Sequence, residues 1–85
     1  MIKIWGKLIC NERIIKSKTI SVDTHTTTFF EMLKNLCHSL NISTPVLLDK
    51  HVYDFNVFQI CTFKPDDFIE EVAFDRFSLE IVRNI

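Results

Sequence analysis

The strongest constraint on this chain lies in its last third, where acids and large apolar residues interleave and then settle into strict alternation. Phe77, Leu79 and Ile81 alternate with Ser78, Glu80 and Val82. A period of two sends the two sets of side chains to opposite faces of a strand, so residues 77–82 are expected to form a strand built into a sheet. The opening of the chain has the same pattern. Ile2, Ile4, Gly6, Leu8 and Cys10 share one face, and Lys3, Trp5, Lys7 and Ile9 share the other. The polar cluster Asn11-Glu12-Arg13 interrupts this run, and a second β-prone run covers residues 14–22. Two adjacent runs with a short polar link predict an antiparallel hairpin.

The sharpest helix signal follows. Thr28-Phe29-Phe30-Glu31 fits a capping box, in which Thr28 accepts from a first-turn amide and Glu31 reaches back. Phe29, Phe30, Leu33, Leu36, Cys37 and Leu40 then recur at helical spacing and predict one buried stripe. Asn41 suits a left-handed terminator. Thr44-Pro45 returns the chain to extended geometry, and Val46-Leu47-Leu48 reads as a short buried strand. Asp49 is placed to cap what comes next. Val52, Phe55, Val57 and Phe58 are compatible with a short helix over residues 50–59, with a strand as the competing reading. Ile60-Cys61-Thr62-Phe63 has strong β propensity, and Lys64-Pro65-Asp66-Asp67 has turn chemistry. Residues 68–74 fit either a helical turn or a connector.

The expected class is therefore α+β: one domain over residues 1–85, a small mixed β-sheet, an opening hairpin and one main helix packed across it. With 85 residues there is no room for a second core. An apolar fraction of 47% with eight Phe, and only one Gly and two Pro, lies far from the composition of disorder. The order hairpin, helix, strand, short helix, strand, strand resembles the β-grasp, ubiquitin-like arrangement. The closing Val82-Arg83-Asn84-Ile85 lacks the Gly-Gly tail of a conjugated carrier, so the resemblance implies no conjugation. Three further segments resemble a group of short, uncharacterised proteins of Firmicutes such as clostridia. They are Met1-Ile2-Lys3-Ile4-Trp5-Gly6-Lys7, Thr44-Pro45-Val46-Leu47-Leu48-Asp49-Lys50-His51 and the 65–76 segment with its Pro65-Asp66-Asp67-Phe68 start. That resemblance implies a bacterial, cytosolic protein and supplies no functional residues.

Chemistry is weakly signalled. Three cysteines, Cys10, Cys37 and Cys61, are odd in number and far apart, which points to a reduced compartment and no disulfide framework. Charges recur through the first residues, so no signal peptide is expected, and no apolar run is long enough to span a bilayer. The closest metal-ligand pair is Cys37-His38, and helical neighbours point about 100° apart, a poor start for chelation. No metal and no cofactor are expected. A cysteine nucleophile needs a helix N-terminus, a His or a cation beside it, and only a spatial pairing such as Cys61 with His51 would supply one. Asp66, Asp67, Glu70 and Glu71 lack the fixed spacing of a calcium loop. No catalytic constellation emerges, and the chain is not expected to be an enzyme.

Net charge is −1, but its distribution is uneven. Lys3, Lys7, Arg13, Lys16 and Lys18 gather at the start, whereas Asp66, Asp67, Glu70, Glu71, Asp75 and Glu80 gather late. The expected function is a small cytosolic, non-catalytic protein-protein interaction domain, with a protein partner or a second copy as ligand. A sheet edge or an exposed aromatic patch would carry the contact. The candidate surface is Trp5 with Lys3 and Lys7, together with Asp66, Asp67 and Phe68. The alternative is a nucleic-acid accessory module using Lys3, Trp5, Lys7, Lys16 and Lys18, with cations for phosphates and an indole for stacking.

Overall fold

The computed structural model describes residues 2–82. The chain forms β1 (Ile2–Cys10), β2 (Arg13–Val22), α1 (Phe29–Ser39), α2 (Asp49–Phe58), β3 (Ile60–Phe63), a 3-10 turn (Pro65–Asp67) and β4 (Arg76–Val82). One four-stranded sheet has the order β2-β1-β4-β3. The α+β class, the hairpin and the helix across the sheet are as expected. The sheet is not mixed, because all three of its ladders are antiparallel.

The hairpin closes through Asn11 and Glu12, whose φ values of 52° and 65° have the sign that a type I′ turn needs at both central residues. Asp75 pins this tip to the start of β4: its Oδ2 accepts from the Asn11 amide at 2.7 Å, and its own N–H donates to Ile9 O at 2.8 Å. A bulge between Leu8 and Ile9 shifts the β1–β2 register.

Both helices lie on one side of the sheet. The inward set on β1, β3 and β4 is Ile4, Leu8, Cys61, Phe63, Phe77 and Leu79, all buried in one cluster with Leu33, Leu36 and Cys37 of α1 and Phe55 of α2. Each large member contributes about 1.5–3 kcal/mol through burial. Gly6 lies where α1 comes closest to the sheet. A Cβ there would stand 3.2 Å from Leu36 Cδ2 and 3.3 Å from Phe77 Cε1, so the glycine permits the close helix–sheet approach.

Helix α1 starts as its sequence implies, with Thr28 Oγ1 accepting from the Glu31 amide at 3.2 Å. It ends at Ser39 with Leu40 as its C-cap, and Asn41 just beyond turns left-handed, with φ 58°. Its stripe differs in one place: Met32 is buried and Phe30 is exposed, because the face that meets the sheet runs through residues 29, 32, 33, 36, 37 and 40. Residues 50–59 are resolved in favour of the helix, closed by Gln59 in the left-handed region. Residues 46–48 form no strand. They lie outside any ladder; Val46 N–H donates to Asp67 O at 2.7 Å, and Leu48 leads into α2, its O accepting from His51 N–H at 3.0 Å.

Candidate functional site

The other face of the sheet, the open face, packs against neither α1 nor α2. Alternation places Lys3, Trp5 and Lys7 of β1 there, beside Thr19 of β2 and Glu80 of β4. Trp5 stands directly opposite Glu80. Lys7 bridges the two: its Nζ lies 2.9 Å from Glu80 Oε1 and 4.2 Å from the centroid of the Trp5 ring. The ammonium is thereby held against the indole π-face, which fixes the ring in place. One expected trio is therefore assembled, with Glu80 as a fourth member that its alternation with Leu79 and Ile81 already placed on this face.

A groove of about 460 Å³ opens beside the trio, lined by Trp5, Phe58, Ile60, Glu80 and Val82. Phe58 is 64% exposed and Ile60 39% exposed. Phe58 ends α2, and the left-handed Gln59 turns the chain straight into β3, leaving the Phe58 ring at the rim instead of in the core. Phe58 is the site residue that sequence reasoning missed. Its signal was present: His51 and Phe55 supply the buried side of α2, and Phe58 exceeds what that short helix can cover.

The second expected trio is not part of this face. Phe68 is buried and packs edge-to-face on Phe74, with centroids 5.3 Å apart. Asp67 serves the fold: its Oδ2 accepts from Lys64 N–H at 2.9 Å and lies 3.3 Å from His51 Nε2. Asp66 is exposed on the 3-10 turn, and Glu70 and Glu71 are exposed beyond it.

His51 is 1% exposed, and both of its ring nitrogens are engaged. Nδ1 accepts from the Leu48 amide at 3.0 Å, so the ring is the tautomer with hydrogen on Nε2, and that hydrogen faces Asp67. The imidazole also lies on Phe63, centroid to centroid 4.2 Å. Asp49 is thus the first residue of α2, not its cap; a histidine three residues after Leu48 does the capping. With neither nitrogen open, this His–Asp pair works as a strut joining the start of α2 to the 64–67 turn.

The thiols are equally inward. Burial pushes Cys37 up to about 12, against a smaller lowering by a hydrogen bond with Thr44. Cys61 is also pushed up to about 12, by burial first and then by the negative charges of Asp54 and Asp67. A thiol in that state is a packed hydrophobe, not a nucleophile. Among the described residues, no three His, Cys, Asp or Glu side chains converge in a metal-holding group. No helix there is long and apolar enough to cross a membrane.

The basic residues divide. Lys3 and Lys7 lie on the open face, whereas Lys16 and Lys18, opposite Leu8 and Gly6, lie on the helix side. Lys16 Nζ donates to Leu40 O at 2.8 Å, and Lys7 is held by Glu80. No single face gathers all the cations named for nucleic acid. Comparisons with family models, curated proteins and solved structures find no match to this chain.

Proposed function

We propose that this protein is a non-catalytic interaction domain that binds another protein through its open sheet face. The observation that carries the reading is the continuous set of half-buried and exposed apolar side chains around one groove, Trp5, Phe58, Ile60 and Val82, with the Lys7–Glu80 pair at its side. Aromatic side chains held rigid before contact lose little conformational freedom on binding, and a polar pair beside them fixes orientation. The engagement of both His51 nitrogens and the raised thiols support binding over chemistry. Three unpaired cysteines suit a reducing, cytosolic setting.

The test is affinity purification of the tagged domain from its native cells at low and high salt, with the wild type beside Trp5→Ala and Phe58→Ser. The expected result is a stoichiometric protein that survives salt with the wild type and is lost with both variants, whose circular dichroism stays native. Nucleic acid that washes off with salt would replace this reading with the nucleic-acid module.

A further inference from the structure

The outer edge of β2 is free, and it is distinct from the open face. β2 is terminal in the sheet, and every residue from 13 to 19 is exposed. No backbone hydrogen bond outside its ladder with β1 engages it among the described residues. Beyond the bulge, residues 16–22 pair with β1 without irregularity, so this stretch is a straight seven-residue edge. In an antiparallel ladder, alternate residues turn their N–H and C=O groups outward, which makes such an edge a template for another strand.

The side chains along the edge are ordered. Lys16, Lys18, Ile20 and Val22, opposite Leu8, Gly6, Ile4 and Ile2, line the helix side. Arg13, opposite Cys10, extends that row. Ser17, Thr19 and Ser21 line the open side, and β2 contains no acid. An ammonium has three donors, so Lys16 keeps two for a partner while its bond to Leu40 O holds it in place.

We propose that this edge takes up an extended acidic segment of another protein as a fifth strand. Running parallel to β2, it would set carboxylates two residues apart on the helix side, opposite Lys16 and Lys18, followed by apolar residues against Ile20 and Val22. Charge selects this occupant. Two copies of β2 paired antiparallel about Ser17 would set Lys16 against Lys18, and like charges directly opposite are destabilising. The charges that repel a second copy admit an acidic strand, so one device gives both attraction and exclusion. A polyanion such as nucleic acid fits less well, because the hairpin's other two lysines, Lys3 and Lys7, lie on the opposite face.

The test uses fluorescence anisotropy at low salt with a labelled, end-blocked peptide, Thr-Glu-Thr-Glu-Thr-Val-Thr-Val, and a control with Lys in place of Glu. Saturable binding of the acidic peptide below about 1 mM is expected, at least about tenfold tighter than the control. Lys18→Glu should abolish it, Lys16→Gln should weaken it, and Trp5→Ala should leave it unchanged. Hydrogen exchange should slow at amides of β2. The Lys18 side chain makes no hydrogen bond or ion pair among the described residues, so Lys18→Glu is expected to fold, and a native thermal transition would verify this. Equal binding of the two peptides, or none by 1 mM, would overturn the proposal and leave the lysines as a guard against strand pairing. Concentration-dependent dimers lost on β2 substitution would assign the edge to a second copy. Tighter binding of a single-stranded oligonucleotide, lost with Lys18→Glu, would assign it to nucleic acid.

Discussion

Replacing Asp67 tests whether the buried His51–Asp67 strut holds the start of α2 to the 64–67 turn. Oδ2 of Asp67 is the only hydrogen-bond acceptor described for the Nε2 hydrogen of His51, which is 1% exposed. Asp67→Ala would strand that hydrogen. Losing a bond to a charged acceptor costs about 1.5–3 kcal/mol, and the 3.3 Å separation argues for the lower half. The same substitution removes the acceptor for Lys64 N–H, an exposed turn bond worth about 0.5–1.5 kcal/mol. The sum is about 2–4 kcal/mol, or about 10–20 °C in melting temperature for a domain of this size. Asp67→Asn keeps an oxygen in place for both donors and should cost less than half as much. Urea unfolding of the three proteins, with slopes compared to verify that the compactness of the end states is unchanged, measures the differences. Equal losses for Ala and Asn would refute the hydrogen-bond reasoning and point to the charge itself. No loss for either would show that the strut carries no stability.

Three other outcomes follow from the packing and the thiols. Leu36→Ala, at a fully buried site on α1, should cost about 2–5 kcal/mol by lost transfer energy and cavity, read by urea unfolding. Gly6→Val should cost about 1–3 kcal/mol by overpacking against Leu36 and Phe77, and Gly6→Ala should become neutral or stabilising once Leu36 is Ala; additivity in that double-mutant cycle would deny the contact. At pH 8, Cys10, partly exposed, should be alkylated first, while Cys37 and Cys61 react only on unfolding. Because folding raises both buried thiols from 9.0 to about 12, their contribution to stability is fully present below pH 9 and is lost as pH rises toward 12. A melting temperature that rises over that interval in a Cys10→Ser protein would contradict this.

The elements legible in the sequence were those that local chemistry specifies. Alternation fixed β1 and β4, the Thr28–Glu31 cap opened α1, and Asn41 closed it, each through forces acting within a few residues. What escaped depended on distant neighbours. The apolar run at residues 46–48 has the composition of a buried strand, but a strand needs a ladder partner, and the sheet already ends at β3. Its backbone instead leans on the 65–67 turn through Val46 and Asp67. Phe68, flanked by acids, looked available as an anchor; Phe74 packs against it in the core. His51 was legible only as a possible partner for Cys61, since its capping role departs from the familiar Ser/Thr-x-x-Glu pattern. Of the open face, Trp5 and Lys7 followed from alternation, whereas Phe58 joined them because the turn at Gln59 brings the end of α2 to the rim of the sheet.

The open face as a protein-binding surface is tested most directly by photo-cross-linking in native cells. Benzoylphenylalanine is placed at Phe58, in the groove, and in a separate protein at Ile69, which is 88% exposed and belongs to neither proposed surface. A discrete heavier adduct is expected from position 58, abolished by Trp5→Ala in the same chain, and none from position 69. An adduct of equal yield from both positions, or from position 69 alone, would contradict the binding role of this face.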